Sequence, residues 1–250
     1  MTNKDQPHVF DVSKVLARVS DRADGTMKSN GADDISEVSG NIRAFATRAG
    51  FSYSNIVAMN VGVQAVWDKI EPVISAPPRA LVAIEDRVPT DALVTTRKDV
   101  VLMLPVADCN AVAIHDPVRE VLALVHLGWQ STAVDLARKI VEYMQRQHQS
   151  RPEDLRIYIS PSIRHESYIF DDISQAGQPQ WQPFLHKTEK GIGIDLPGYN
   201  RQRFIEAGVP EAAIETCPVN TATSEDYFSH YRAVRTGESD GRFALFAALQ

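Results

Sequence analysis

Three apolar runs crowded between Asp91 and Met144 constrain this chain more than any other feature in it. Val100–Leu104 is closed by Pro105, Ala111–Ile114 follows, and Glu120–Val125 is the third. Each has strand length, and each is apolar at consecutive rather than alternate positions. A strand of that kind must be covered on both faces. Between the second and third runs lies Asp116-Pro-Val-Arg119, with proline at the second turn position, where its fixed φ suits a type I turn. The last two runs therefore read as a β-hairpin. After Trp129, Ser131 or Thr132 can cap a helix. That helix places Ala133, Leu136, Ala137, Ile140, Val141 and Met144 on one side, which is the cover such a sheet needs.

The rest of the chain repeats this mixture. Val15–Val19 reads as a strand, and residues 23–34, rich in Gly, Asp, Ser and Asn, read as a loop. From Ile35 to Ala49 the apolar spacing is helical, with Val38, Ile42, Phe45 and Ala46 on one face. Ile56–Met59 and Arg156–Ile159 read as strands, the second ended by Ser160-Pro161. Ser75-Ala-Pro-Pro-Arg79 breaks regular structure and is a surface loop, because patterned sequence resumes at once. A helix is expected near Arg201–Ala207 with Gly208 as its stop, and a strand over Phe243–Leu249. Strands mixed with helices and hairpin signals predict an α+β sandwich in one domain over residues 1–250.

The net charge of −6 is spread along the sequence, which argues against nucleic acid, since phosphates want a basic face. No apolar run approaches the ~20 residues of a membrane span. The N-terminal residues lack the apolar core of a signal peptide, so the cytoplasm is the expected location. Cys109 and Cys217 stand far apart without a C-x-x-C, which excludes a zinc ribbon or thioredoxin motif. No G-x-S-x-G, P-loop or G-x-G-x-x-G occurs, so triad hydrolase and dinucleotide readings lack their signatures.

The hairpin brings two reactive side chains together. With residues 116–119 as the loop, His115 pairs with Glu120 and Cys109 falls opposite His126. Directly opposed residues have Cβ atoms about 4.5–5.5 Å apart on one face. A thiol and an imidazole at that spacing can share a proton or a metal. Gly128 follows and allows close approach of a ligand. The alternative is that Cys109 is a small buried hydrophobe and His126 a satisfied strand-end group. Asp171-Asp172 reads as a solvated turn; His148, His165, His186 and His230 read as surface groups, and Cys217 as packing.

Ala107-Asp-Cys109 followed by His126-Leu-Gly-Trp129 resembles the paired A-D-C and H-x-G-W motifs of the laccase-domain family. That family is also described as polyphenol oxidases, peptidoglycan editing factors and purine nucleoside phosphorylases. Thr90-Asp-Ala-Leu-Val-Thr95 resembles its A-D-A-L-V-T segment, and Ile159-Ser-Pro-Ser-Ile163 with Tyr168 its G-P-S-I…Y segment. Asp226–Ser229, Tyr231-Arg232 and Gly241-Arg242 resemble its C-terminal F-S-Y-R…G-R, and Arg22…Gly25 and Asn41 are similar to its N-terminal part. The likeness runs from about His8 onward.

The resemblance implies a layered α/β/β/α sandwich, also compared with cysteine hydrolases and a toxin deamidase. It implies phosphorolysis of purine nucleosides such as adenosine, inosine and methylthioadenosine, or deamination of adenosine, at a zinc held by His, Cys and His. Copper-dependent phenol oxidation is the older assignment. Carried over by position, Cys109 and His126 are the catalytic residues and two of the three metal ligands. The expected partners are a nucleoside and phosphate, with no nucleic acid or membrane, in a monomer or homodimer.

Three departures stand out. Met59-Asn-Val-Gly62 matches a Q-x-H-G segment and puts Val61 where the third ligand belongs, with no histidine between His8 and His115. Gln130 stands where many members have Arg, and Ser160 where they have Gly. The leading expectation is a divergent purine nucleoside enzyme with substoichiometric zinc. Its rivals are a metal-free Cys–His hydrolase of amide-like bonds, a catalytically inactive binding protein and a copper polyphenol oxidase.

Overall fold

The computed structural model describes residues 7–28, 35–61, 67–73 and 87–250; the expected loop at 75–79, Gly62 and part of the 23–34 loop lie outside them. In chain order the strands are β1 Val15–Val19, β2 Ile56–Ala58, β3 Ile70–Pro72, β4 Ala92–Thr95, β5 Val101–Val106, β6 Asn110–Asp116 and β7 Val121–Leu127. They continue with β8 Arg156–Ile159, β9 Ile169–Phe170, β10 Leu185–Thr188, β11 Gly191–Ile194, β12 Ile214–Thr216 and β13 Phe243–Leu249. The helices are α1 Ile35–Ala49, α2 Trp129–Ala133, α3 Leu136–His148, α4 Leu196–Glu206 and α5 His230–Thr236.

Two sheets stack face to face. One has the order β1-β13-β5-β2, the other β12-β8-β6-β7-β4-β3. Their facing sides share one core, built by Leu102, Leu104, Phe243 and Leu245 from the first and Ala111, Ala113, Leu122 and Leu124 from the second. The outer face of the first sheet carries α1, where Ile42, Phe45 and Ala46 bury against Met103, Phe246 and Ala248. The outer face of the second carries α3 and α4, where Leu136, Ile140, Met144 and Phe204 cover Val112, Ile114, Ala123 and Val125. Four layers result, in the order α/β/β/α. This explains the unbroken apolar runs: in β5, Val101 and Met103 face α1 while Leu102 and Leu104 face the other sheet. Full burial of one such side chain is worth about 1.5–3 kcal/mol. A third sheet, β10-β11-β9, lies outside this stack and had no counterpart in the sequence reading.

Several boundaries differ from expectation. Asp116 belongs to the hairpin ladder, pairing with Val121, and the loop is residues 117–120. The cause is the Asp116 carboxylate, whose Oδ1 accepts from the amides of Val118 (2.8 Å) and Arg119 (3.0 Å). That side-chain turn moves the reversal one residue on, and Glu120 closes it in the left-handed region. His115 therefore pairs with Leu122, not Glu120. Pro105 does not end its strand; it lies past Met103, the last residue of β5 to pair with β2, where the strand has lost that neighbour. The helix after Trp129 is two pieces, broken where Asp135 turns left-handed, and Gly128 is its N-cap residue. The helix expected at 201–207 begins at Leu196, because Asp195 Oδ1 accepts from the Gly198 amide and caps it.

Candidate functional site

The register shift decides where the site sits. Ala111, not Cys109, lies opposite His126, and the ladder ends at the Asn110–Leu127 pair. The displacement is two residues, so side-chain parity is kept. Cys109 stays on the His126 side of the sheet, one step beyond the last pair and across from Gly128. A Cβ on Gly128 would stand 3.1 Å from Cys109 Sγ, 3.1 Å from His126 Nε2 and 3.0 Å from His126 Cε1. Thiol and imidazole thus converge on the space in front of Gly128. The backbone there is extended (φ −85°), so glycine is needed for room and not for conformation.

Cys109 is presented by a strained turn. Asp108, just before it, has φ +74°, a region an aspartate tolerates when its side chain is held. Its Oδ1 accepts from the Thr221 hydroxyl (2.6 Å), its Oδ2 from the Tyr231 amide (2.7 Å), and its carbonyl from the Ile163 amide (2.9 Å). Ser160, the other local departure from the family pattern, accepts from the Ala111 amide at 3.0 Å and secures the same strand end.

His126 is held by Asp91, the residue before β4. Asp91 Oδ1 lies 2.8 Å from His126 Nδ1, and the His126 amide donates to the Asp91 carbonyl at 2.8 Å. With the carboxylate taking the Nδ1 proton, Nε2 is left for Cys109. The imidazole is 8% exposed. Burial pulls its pKa down, but hydrogen bonds to Asp91 and Cys109 and their negative charge more than offset this and push it up to about 9. The arrangement can pass a proton between sulfur and imidazole while a carboxylate steadies the ring.

Beside this trio opens a cleft of about 300 Å³ lined by Trp129, Tyr168, Phe170, Asp172, Ile173, Ser174 and Ile194. Trp129 follows directly on Gly128 and is braced by Trp181 (ring centroids 5.3 Å), itself stacked on Tyr199 at 3.8 Å. Tyr168 and Phe170 meet edge to face at 4.7 Å. The Tyr168 phenol is pushed up from its usual range by burial and by charge at Cys109 and Asp108. Third-sheet strands β9 and β11 supply part of this wall.

The structure brings Cys109 and His126 together and leaves Cys217 buried in the core between the sheets, as expected of a packing residue. His165 and His186 stack on each other at 3.9 Å, and His230 pairs with Asp240. Asp172 forms part of the cleft. Asp91 escaped sequence reasoning. Its one signal is a lone acid opening an apolar strand, a position that demands a partner. The aromatic cleft escaped because its walls come from distant segments.

A His–Cys–His metal centre requires a third donor. Val61 carries an isopropyl group packed against the core that Cys109 also borders. Asp91 is committed to Nδ1. Among the described residues no three His, Cys, Asp or Glu side chains gather around a point that could hold an ion. The described donors thus do not fit a three-ligand zinc centre, and no chemical step is derived through one.

Sandwich, hairpin site and aromatic cleft define a laccase-like fold. Residues 19–250 match the family described as multi-copper polyphenol oxidoreductase laccase. The chain belongs to this family. It is 27% identical over 166 residues to a Bacillus subtilis protein named purine nucleoside phosphorylase YlmD, covering 64% of this chain and 59% of that one. It is 29% identical over 163 residues to adenosine deaminase RL5 from an unknown prokaryotic organism, covering 61% and 59%. The chain thus spans about three fifths of the length of these curated relatives. The solved structure of the Bacillus licheniformis hypothetical protein YfiH superposes with a TM-score of 0.84 at 26% identity, covering 94% of this chain and 93% of that one. No helix among the described residues is long and apolar enough to cross a membrane.

Proposed function

We propose that this protein is an enzyme of purine nucleosides. Its reacting groups are Cys109 and His126, and Asp91 is the residue that positions the imidazole. One observation carries the reading: the thiol and imidazole meet in front of Gly128, at the mouth of a cleft walled by Trp129, Tyr168 and Phe170. A volume of about 300 Å³ is at the lower end of small-ligand sites, suited to a nucleoside. Flat aromatic walls suit a base, since base–aromatic stacking contributes about 1–3 kcal/mol per base. The relatives' names, purine nucleoside phosphorylase and adenosine deaminase, support the same substrate class. Asp172, on the cleft wall, is placed to accept from ribose hydroxyls.

The test is product analysis. Purified protein is incubated with adenosine or inosine, with and without phosphate, and the products are separated by chromatography. Expected are products bearing the purine ring that vanish in Cys109→Ala and His126→Ala, both of which should stay folded because neither builds the core. A Cys109→Ala protein with the wild-type rate would place the activity elsewhere. Phenol oxidation with copper, and no reaction with nucleosides, would return the protein to the older oxidase assignment.

A further inference from the structure

We infer that the reaction is hydrolytic removal of the amino group from a 6-aminopurine nucleoside, through a covalent bond between Cys109 sulfur and purine C6, with no resident metal. The inference rests on the purine reading above and names the reaction within it.

Two features select this step. First, the cleft offers nothing to hold phosphate. Its described lining contains two ionisable groups, Tyr168 and Asp172, and neither is a cation. Next to it stands Gln130, where many of the chain's relatives are expected to carry Arg. A phosphate dianion wants arginine or lysine partners; water wants none. Second, the set formed by sulfur, imidazole and carboxylate is complete by itself. Asp91 occupies Nδ1 at 2.8 Å, so Nε2 and Sγ are left aimed at one point in front of Gly128. A carbon placed there must be electrophilic and carry a leaving group. The amidine-like C6 of a 6-aminopurine is such a carbon, and its ring stacks against the aromatic walls.

The steps balance without an oxidant. Cys109 gives its proton to His126 Nε2, and sulfur adds to C6. The ring nitrogen beside C6 takes up the displaced electron pair, opposite the phenol donor Tyr168. His126 returns the proton to the exocyclic nitrogen, the C6–N bond breaks, and ammonia leaves. The intermediate is a purine joined to Cys109 through a C6–S bond. Water, deprotonated by His126, adds to C6; the C6–S bond breaks, and the proton returns to sulfur. Net, 6-aminopurine nucleoside and water become 6-oxopurine nucleoside and ammonia.

The probe is 6-chloropurine riboside, whose C6 carries chloride and traps the sulfur as a stable thioether that mass spectrometry locates. Wild-type protein, dialysed against chelator, is expected to take up one label per chain at Cys109 and none at Cys217. Uptake should saturate with probe concentration and be blocked by adenosine. His126→Ala and Asp91→Asn should slow it about 100-fold or more, the scale of general-base assistance. The same chelated protein should turn adenosine into inosine and ammonia. Labelling that neither saturates nor yields to adenosine would reveal an ordinary thiol and overturn the inference. Deamination that stops on chelation, returns with zinc and leaves no label would overturn it too, while the purine reading stands. Free base and ribose 1-phosphate as the sole products would do the same. No label and no product from either nucleoside would overturn both.

Discussion

Gly128 faces Cys109 across the open end of the β6–β7 ladder, and the space its missing side chain leaves is the space the thiol and imidazole share. A methyl group there would sit 3.0–3.1 Å from three of their atoms, closer than carbon ordinarily approaches. Gly128→Ala should therefore move Sγ or the ring by a few tenths of an ångström without disturbing the φ −85° backbone. Turnover should drop by about 10- to 100-fold, since small misplacements of reacting groups are that costly. The melting temperature should barely change. Steady-state kinetics and calorimetry on the same preparation check both.

Asp91→Asn keeps the shape of the positioning residue and removes its charge. In a hydrolase triad the equivalent change cost about 10⁴ in kcat, and a loss of at least about 10² is expected here. Stability gives an independent readout. His126 binds its proton more tightly in the fold, at about 9, than at its ordinary 6.5. Its protonation thus stabilises the wild type fully below pH 6.5, and that contribution, about 3 kcal/mol at most, fades as pH rises through 9. Urea midpoints of the wild type should fall between pH 6.5 and 9. In Asp91→Asn that slope should flatten.

His115 sits on the inner face of the same hairpin with the opposite sign. Burial holds its pKa down at about 4 from an ordinary 6.5, and Nε2 has no partner while the ring meets Phe10 edge-on at 6.1 Å. The unfolded chain takes a proton at this residue below pH 6.5 and the fold does not until about 4. Stability from this group is therefore lost as pH falls through that window, by up to about 3 kcal/mol. His115→Leu should make unfolding less sensitive to acid between pH 6.5 and 4, measured by urea titration at each pH.

Zinc content tests the Val61 position. With Val61 unable to ligate, wild-type protein should hold substoichiometric zinc after dialysis, because even outer-shell losses weaken affinity about 10–100-fold. Val61→His should raise zinc per chain under identical dialysis. Full, tight zinc in the wild type would mean that Asn60 or a carboxylate from the 68–91 stretch serves as third ligand. No gain in the variant would mean that this segment does not lie where the family pattern puts it.

The aromatic walls predict a binding effect. Phe170→Ala removes an exposed ring from the cleft, and the loss of stacking should raise KM for a purine nucleoside by about 5- to 100-fold, equivalent to about 1–3 kcal/mol. The kcat should change much less, since Phe170 is not among the reacting groups.

What could be read from the sequence was what local chemistry controls. The α1 span and the β13 span follow from apolar spacing alone, and both came out residue for residue. The β6–β7 hairpin was legible as a hairpin, but its register was not, because the Asp116 carboxylate reshapes the turn. The error was even, so the face shared by Cys109 and His126 survived it. The start of α4 was hidden because Leu-Pro-Gly reads as a turn until Asp195 is seen to cap it. Asp91 could not be assigned to His126 from sequence, since 35 residues separate them and only the β4–β7 pairing makes them neighbours. The short third sheet carries too few residues for a periodic signal, and with it went the cleft.

The position of β13 has a kinetic consequence. β1 pairs only with β13, and β13 lies between it and β5, with Val15 set against Leu249. Until β13 arrives, β1 has no partner in the sheet and the apolar edge of β5 is open. Pairings between segments so distant along the chain make folding slow, on the scale of milliseconds to seconds or longer. During that wait Leu102, Leu104 and the β5 backbone are free to meet another chain. Refolding yield should therefore decline steeply with protein concentration, and early intermediates should carry a formed β6–β7 hairpin beside an unclosed first sheet.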